Sequence, residues 1–216
     1  MIFEQILSGG DRNYSYLIGC EDTQQGVIVD PSPDPLPPYR RMSKLGLEIL
    51  YVINTHDHFD HTGGNAYFQT HTRARLVVHR AWRSGLKPTD VAVTDGEILR
   101  LGDLSLHVIH TPGHTPDSMC IRIQNEIITG DTLFVGKVGG TSSRESAAAE
   151  FESLKKLMTL PPETRVWPGH NYGVRPFSTI GDEASTNPFI LRLNRFEDFV
   201  WLKENWAAYK RQHGIA

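Results

Sequence analysis

The sequence lacks the features that mark membrane proteins and nucleic-acid-binding proteins. Its N-terminal segment, MIFEQILSGGDRNYSYLIG, has no basic region followed by an apolar run, and no stretch of the chain is long and apolar enough to span a bilayer. The formal net charge is -3, so the chain has no excess of basic residues with which to bind nucleic acid. We therefore expect a cytoplasmic protein whose partners include neither a membrane nor a nucleic acid.

Cysteine is scarce as well, which argues against a thiolate metal site. The two cysteines, Cys20 and Cys120, lie far apart, and neither has a second cysteine nearby. Nothing in this spacing requires a disulfide, so we expect two buried thiols.

Short β-type runs dominate the chain, and turn-forming residues separate them. Its 216 residues favour a single domain, and 39% apolar and 22% charged residues are ordinary for a globular protein. We predict that the first three runs are adjacent antiparallel strands. The predicted strands are 1–7, 14–20, 26–30, 49–54, 74–79, 97–101, 104–110, 118–123, 126–129 and 165–167.

Helices are predicted between and after these strands. A proline cluster at positions 31–38 excludes regular structure until Tyr39, so a helix is predicted over 39–45, and another over 66–71. Ser142 and Glu145 have the spacing of a capping box, which begins an amphipathic helix that runs up to Pro161. Strands interspersed with helices predict two sheets covered by helices, an α/β or α+β layered fold in one domain over 1–216.

A C-terminal helix is predicted over about 190–213. One of its faces carries Phe196, Phe199, Val200, Lys203 and Ala207. We expect this face to pack on its own domain; the alternative is a contact in a homodimer.

Ionisable residues are concentrated in the segment NTHDHFDHTGG. Positions 56–61 hold three histidines and two aspartates, a pattern that composition does not produce by chance. Titrating side chains in one turn bring no folding benefit unless something shared satisfies them. Imidazole and carboxylate groups suit Zn²⁺, Fe²⁺ or Mn²⁺, so a metal ion is the shared partner that the segment predicts.

The segment can serve two neighbouring ions. In a tight turn, His56 and His58 can point to one ion while Asp60 and His61 point to the next. One loop cannot complete two coordination shells, so further ligands are expected downstream. The candidates, each after a glycine or a β-type run, are His114 in TPGHT, Asp131 in TGDT and His170 in PGH.

These segments, THDHFDHTGG, TPGHT, TGDTLF and PGHNY, resemble the metallo-β-lactamase superfamily in their order and over essentially the whole chain. The resemblance implies a four-layer αββα sandwich that binds two divalent metal ions, with zinc first and iron or manganese as alternatives. It places Asp30, at the end of VIVDPS, next to the ligands rather than among them. It implies that His56, His58 and His114 hold the first ion, that Asp60, His61 and His170 hold the second, and that Asp131 bridges them.

Two metal ions that share a carboxylate predict hydrolysis. They lower the pKa of a bound water from roughly 16 towards about 7 and so create a hydroxide nucleophile at neutral pH. A thiolate leaving group needs little help from a protein acid, so a thioester of a small thiol is the expected substrate. Asp60 and Asp131 are the expected catalytic carboxylates. Phosphoester or lactam cleavage would fit the metal ions equally well.

Within the superfamily the chain looks closest to glyoxalase II, also called hydroxyacylglutathione hydrolase, and to the persulfide dioxygenases. Tyr172 matches the position of a glyoxalase II tyrosine that contacts glutathione, while TLFVGKVGGT is shorter than the corresponding glyoxalase II segment. Lys137, Tyr172 and Arg175 are the predicted substrate contacts. The resemblance also implies a homodimer.

Two alternatives remain at this point. One is a persulfide dioxygenase with a single iron held by His56, His114 and Asp131. The other is a structural metal protein without turnover, which the large number of ligands disfavours because structural zinc sites are usually closed sets of four. The remaining histidines are predicted to be ordinary surface or core residues: His71, His79, His107, His110 and His213.

Overall fold

The computed structural model describes residues 1–83 and 85–215, which contain two six-stranded sheets. In the first sheet the strands follow chain order: β1 (Ile2–Leu7), β2 (Tyr14–Gly19), β3 (Gln25–Val29), β4 (Glu48–Ile53), β5 (Arg75–His79) and β6 (Val91–Val93). Pairing of β1 with β2 and of β2 with β3 is antiparallel, which confirms the prediction for the first three strands. Pairing is parallel from β3 to β6.

The second sheet follows a different order. From one edge to the other it contains β14 (Ser178–Thr179), β13 (Arg165–Pro168), β10 (Glu126–Gly130), β9 (Met119–Ile123), β8 (Leu104–His110) and β7 (Ile98–Leu101). A separate hairpin joins β11 (Leu133–Phe134) to β12 (Lys137–Val138).

The helices lie between the strands and at the C-terminal end. They are α1 (Leu36–Leu45), α2 (Phe59–Thr62), α3 (Asn65–His71), α4 (Arg144–Leu157), α5 (Ile180–Thr186) and α6 (Phe196–His213), with a 3₁₀ turn at Ile190–Arg192. No helix in the described part of the chain combines the length and the apolarity needed to cross a bilayer.

Three apolar clusters stack the elements into layers. The central cluster lies between the sheets and joins residues of the first, such as Val29 and Ile53, to residues of the second, such as Leu106 and Ile121. The outer clusters are built from one sheet and its helices: Phe68 of α3 packs over the first sheet, and Phe199 of α6 packs with α4 over the second. Because both faces of each sheet are covered, β2 and β10 are buried along their whole length. The predicted four-layer αββα sandwich is confirmed.

Strand direction brings several chain turns to one edge of the sandwich. The parallel strands β3 and β4 end at the same edge of the first sheet. In the second sheet β10 is parallel to β13, and two antiparallel pairings through β9 give β8 the same direction as β10. The loops that follow β4, β8, β10 and β13 therefore meet at one edge, the position at which open α/β sheets usually bind ligands.

Two helix starts differ from their predictions. α1 begins at Leu36 rather than at Tyr39, because Pro37 and Pro38 lie in the first turn, where an intrahelical N–H donor is not needed. α4 is capped one residue later than predicted: the side chain of Ser143, not Ser142, accepts the backbone N–H of residue 146.

The C-terminal helix also begins later than predicted, at Phe196, after the short 3₁₀ turn. It packs on its own domain through Phe199, Val200 and Leu202, and Trp206 contributes to the same cluster. Ala207, which was predicted to lie on the packing face, is exposed. Both cysteines are buried and free, as predicted.

The central cluster should dominate stability, and one pair of isoleucines in the second sheet tests this. Ile121 of β9 is fully buried, whereas Ile98 of β7 is 47% exposed. Ile121→Ala should lower the free energy of unfolding by about 2–5 kcal/mol, because it opens a cavity between the sheets. Ile98→Ala should cost less than about 1 kcal/mol. Urea denaturation of both variants provides the measurement, and equal losses would contradict the proposed position of the core.

Candidate metal centre

The loop after β4 places the histidine cluster at the common edge of the sandwich. His56 and His61 are buried, and His58 is exposed at the N-terminus of α2. The downstream candidates lie in loops that follow strands of the second sheet: His114 follows β8, Asp131 follows β10, and His170 follows β13. The structure therefore brings all seven predicted ligands together. The seven are His56, His58, Asp60, His61, His114, Asp131 and His170.

Three imidazoles form the first donor set. The Nδ1 atom of His58 lies 3.1 Å from Nε2 of His56 and 3.0 Å from Nε2 of His114. Four ligands at about 2.1 Å around one zinc ion would be separated by roughly 3.4 Å, so these nitrogens have the spacing of atoms that share an ion. The side chain of Asp131 adjoins this set, with Oδ2 3.6 Å from His114 Nε2.

The second donor set lies beside the first. Nε2 of His61 is 3.2 Å from Nε2 of His170 and 3.5 Å from Oδ2 of Asp60. Asp131 contacts this set too: its Oδ1 is 3.3 Å from His61 Nε2, and its Oδ2 is 3.3 Å from His170 Nε2. Asp131 therefore lies between the two sets, the place that the resemblance to the metallo-β-lactamase superfamily implies for it.

The donor chemistry fits divalent metal ions. Oδ1 of Asp131 is buried and has no hydrogen-bond partner, although a buried carboxylate oxygen is costly to leave unsatisfied. Burial opposes ionisation of Asp131, but the neighbouring His61 ring, followed by hydrogen bonding to His170, holds the pKa of Asp131 well below its usual range. The group at the centre of the cluster is therefore an ionised carboxylate that can bind a cation.

Two histidines of the first donor set, His56 and His114, favour the neutral imidazole form. Burial, followed by the neighbouring His61, lowers the pKa of His56 well below its usual value. Burial also lowers the pKa of His114, although Asp131 acts in the opposite direction. Neutral imidazole is the form that coordinates a metal ion, so these residues are ready to bind without first losing a proton.

The second ring nitrogen of two ligands is fixed by a hydrogen bond to a backbone carbonyl oxygen. Nδ1 of His114 donates to the carbonyl oxygen of Gly140 at 2.8 Å, and Nδ1 of His170 donates to the carbonyl oxygen of Asp11 at 2.8 Å. Such contacts set the tautomer and orient the ring, so that Nε2 faces the ion.

Asp30 supports ligands of both donor sets through hydrogen bonds. Its Oδ1 accepts the backbone N–H of Thr55 at 2.7 Å, and its Oδ2 accepts the Thr55 hydroxyl at 2.7 Å and Nδ1–H of His61 at 3.0 Å. The Thr55 oxygen in turn lies 3.1 Å from Nδ1 of His56 and can accept its proton. Asp30 thus lies next to the ligands, as the sequence analysis predicts, and holds one histidine of each set.

Two glycines allow this close packing. A Cβ atom on Gly130, whose φ is +49°, would lie 2.3 Å from Oγ1 of Thr55. A Cβ atom on Gly169 would lie 2.4 Å from Oδ1 of Asp131. Any side chain at either position would displace the ligands or their supports.

Asn13 is a contributor that the sequence analysis missed. It is fully buried, and its Nδ2 donates to the backbone carbonyl oxygen of Asp60 at 3.1 Å and to Oδ2 of the same residue at 2.9 Å. A backbone bridge joins Asn13 to His170. The only signal in the sequence was an asparagine after a Gly-Gly turn, which more often marks a loop than a site.

A cavity of about 610 Å³ opens beside Asp131, a size typical of small-molecule sites. Lys137 and Tyr172 both line it. The Tyr172 ring stacks on His170, with 4.5 Å between ring centroids, and the Lys137 ammonium lies 3.8 Å from the Tyr172 ring centroid on the cavity side. The Tyr172 hydroxyl donates to Oδ2 of Asp11 at 2.5 Å, which fixes the ring.

Arg175 is placed differently from the other two predicted substrate contacts. Its guanidinium pairs with Asp182 at 2.7 Å, and it is not among the residues that line the cavity. A contact between Arg175 and the substrate stays a prediction.

The other five histidines belong to none of the donor groups found among the described residues. His71 stacks on Tyr67, and His107 and His213 are exposed. His79 of β5 is buried and stacks on His110 of β8, with 3.7 Å between ring centroids. This pair packs the two sheets together at the ends of their strands.

Comparison with known proteins gives consistent matches. Residues 8–170 match the family described as the Metallo-beta-lactamase superfamily. The chain is 35% identical to a hydroxyacylglutathione hydrolase of Polaromonas sp. (strain JS666) over 178 residues, which are 80% of this chain and 67% of that protein. It is 29% identical to the mitochondrial persulfide dioxygenase ETHE1 of Homo sapiens over 218 residues, 98% of this chain and 84% of that protein.

Among solved structures, ETHE1 from Myxococcus xanthus superposes with a TM-score of 0.86 and 34% identity over 95% of this chain and 91% of that chain. The chain spans about two thirds of the length of the hydroxyacylglutathione hydrolases it matches.

The role of Asp30 can be tested by a change of one atom. In Asp30→Asn an amide NH₂ would face either the Thr55 backbone N–H or the Thr55 hydroxyl together with His61, so at least one hydrogen bond that positions the ligands would be lost. We expect zinc affinity to fall roughly 10- to 100-fold, the usual cost of losing such a support. Titration of the metal-free protein against a chromophoric chelator measures the affinity. Asp34→Asn, an exposed aspartate on the same segment, is the matched control; equal affinities for Asp30→Asn and this control would contradict the role of Asp30.

The histidine stack predicts a pH dependence of stability. Burial, and then the neighbouring His110, lowers the pKa of His79 from 6.5 to about 4. Between these values the unfolded chain binds a proton that the folded chain does not, so the free energy of unfolding should fall as the pH drops from about 6.5 to 4. His79→Asn, which can still accept the Ala81 N–H that His79 accepts, should reduce this slope without abolishing it, because the lowered pKa values of His56 and His114 contribute in the same direction.

Urea denaturation of the metal-free protein between pH 4.5 and pH 7 provides the measurement. Exposed His107→Asn is the control and should keep the wild-type slope. A wild-type slope in His79→Asn would show that another group is responsible.

Proposed function

Because the chain belongs to the metallo-beta-lactamase superfamily, we propose that it is a metal-dependent hydrolase that cleaves a thioester of a small thiol. Zn²⁺ is the first choice for both ions, since imidazole and carboxylate donors suit it. The observation that carries the proposal is the presence of two donor sets that share Asp131. A structural zinc site needs only one set of four ligands.

Two bound divalent ions would supply Lewis acidity and an activated water as the nucleophile. Asp131 holds its charge between the two donor sets, and Asp60 presents Oδ2 to the second set while its side chain stays 38% exposed. These carboxylates would orient the attacking water, and Asp60, the more exposed of the two, would accept its proton. His56 and His61 are fixed by Thr55 and Asp30, so the donors need not rearrange during the reaction.

A cysteine nucleophile does not fit the structure. Burial raises the pKa of the Cys120 thiol to about 12, so its thiolate is not populated at neutral pH. Cys20 follows β2, which runs antiparallel to β3 and so ends at the edge opposite the donor sets. Attack by water is therefore the route that the site supports.

The cavity supports a small thiol carrier with an anionic group. Lys137 lies over the Tyr172 ring at the cavity wall and forms no ion pair among the described residues. Its ammonium can pair with a carboxylate of the carrier, while the ring of Phe134, 5.5 Å from that of Tyr172 between centroids, offers an apolar wall. The thioester carbonyl would then lie near Asp131, at the inner end of the cavity.

A persulfide dioxygenase is the second candidate, and one observation favours it. The match to human ETHE1 extends over 98% of this chain, whereas the match to the hydrolase of Polaromonas covers 80%. His56, His114 and Asp131 would form two imidazoles and one carboxylate around a single iron, the arrangement that leaves open positions for O₂ chemistry.

Metal analysis combined with two assays separates the candidates. We expect about two ions per chain and hydrolysis of an acyl-thioester of a small anionic thiol. His58→Ala should lower both metal content and rate, with kcat/KM reduced more than about 100-fold, because a ligand of the first set is lost. One iron per chain with O₂ uptake on a persulfide would instead favour the dioxygenase. Full metal content and full rate in His58→Ala would contradict the ligand assignment.

The carrier site makes a separate prediction. Lys137→Met should raise KM for an anionic thioester about tenfold with little change in kcat, because it removes a binding charge far from the reacting bond. For an uncharged thioester KM should not change. Lys44→Met, on the exposed end of α1, is the control with wild-type kinetics. An equal rise in KM for charged and uncharged thioesters would contradict a charge interaction.

A further inference from the structure

A buried ion pair lies between α6 and α4, next to the first donor set. The Lys203 ammonium of α6 pairs with the carboxylate of Glu150 of α4. The Glu150 side chain is fully buried, and that of Lys203 is 11% exposed. Nζ of Lys203 also donates to the backbone carbonyl oxygen of Gly139, at 2.7 Å.

The backbone segment that Lys203 contacts also forms a hydrogen bond with a candidate ligand. The next residue, Gly140, provides the carbonyl oxygen that accepts Nδ1–H of His114 at 2.8 Å. Gly139 packs so closely that a Cβ atom there would lie 2.0 Å from the carbonyl oxygen of Asp131 and 3.2 Å from Cβ of His114. A shift of this backbone would therefore move the acceptor that orients His114.

The same ion pair supports His114 from its other side. A Cβ atom on Gly113 would lie 2.3 Å from Cβ of Glu150, so the residue before His114 packs directly on α4. One turn further along α4, Oγ of Ser153 donates to the carbonyl oxygen of Pro112 at 2.7 Å. Glu150 thus contacts the loop that carries His114, and Lys203 holds the segment that orients its ring.

Stability alone does not account for these charges. A buried ion pair contributes little net stability compared with apolar side chains of similar size, because both charges lose their hydration. Two apolar rings flank the Lys203 ammonium, with the ring centroids of Phe199 and Phe189 at 5.3 Å and 6.0 Å from it. What a lysine adds at this position is a hydrogen bond to Gly139 that an apolar residue could not make.

We propose that Lys203 is a positioning residue for His114: it fixes the Gly139–Gly140 backbone and so tunes the affinity of the first donor set for its metal ion. The residue lies on α6, beyond the 8–170 segment that matches the family. The C-terminal helix thereby contacts the segment that orients His114, but it supplies no ligand of its own. This inference rests on the proposed metal centre but not on the proposed reaction.

Metal binding by the full-length, metal-free protein tests the role of Lys203. Titration with Zn²⁺ against a chromophoric chelator gives the affinity, and titration with Co²⁺ reports the ligand geometry through its visible absorption. Lys203→Met should weaken binding by the first donor set roughly tenfold and change the Co²⁺ spectrum. Lys203→Arg, which keeps a cationic donor, should restore most of the affinity.

A double variant separates positioning from simple charge neutralisation. In Lys203→Met combined with Glu150→Gln no unpaired buried charge remains, yet the hydrogen bond to Gly139 is still missing. The proposal expects weak metal binding in this double variant, whereas wild-type affinity in it would overturn the proposal. The double variant also guards against misfolding of Lys203→Met alone, in which Glu150 would be buried without a partner.

Glu197→Gln is the matched control. It removes the exposed ion pair with Arg144 that joins the same two helices, and it should leave metal affinity unchanged. A loss equal to that of Lys203→Met would show that helix packing, and not the Gly139 contact, is responsible, which would also overturn the proposal. A wild-type protein that bound no divalent ion would instead overturn the proposed metal centre itself.

Discussion

The ionised carboxylate of Asp131 is the group on which the rest of the site depends. It is buried at the end of β10, between two sets of imidazoles, and one of its oxygens has no hydrogen-bond partner. Such a group is costly to bury unless a cation or a full set of donors satisfies it. The fold meets this constraint by bringing four strand ends to one edge, so that histidines from both sheets surround the carboxylate at the spacing of metal ligands.

The cluster of candidate metal ligands could be predicted from the sequence because each of its residues carries a local signal. The cluster at 56–61 needs a shared partner, and His114, Asp131 and His170 each follow a strand or a glycine turn. The supports of the ligands were harder to predict. Thr55 and Asn13 act through side-chain hydrogen bonds to residues that lie near them only after the sheets have formed. The contact from Lys203 to Gly139 joins positions 64 residues apart, a distance over which sequence pattern carries no information.

For the fold as well, the main elements could be predicted from the sequence, whereas the short strands and some helix positions could not. Short β-type runs bounded by turn residues located the main strands, but β11, β12 and β14 are two residues long and leave no pattern to detect. The start of α1 was wrong because prolines were treated as barriers, whereas the first turn of a helix tolerates them. The face of α6 was partly wrong because Ala207 continues the helical period but lies beyond the cluster that Phe199 joins. Tertiary contacts, not local preference, decided these positions.

Anomalous diffraction from zinc-loaded crystals would show whether two metal ions share Asp131. We predict two peaks roughly 3.5 Å apart, the separation of ions in other binuclear sites. One peak should lie among the ring nitrogens of His56, His58 and His114, and the other beside His61 and His170, with Asp131 in contact with both. A single peak would contradict the binuclear assignment, and peaks away from these side chains would contradict the metal centre itself.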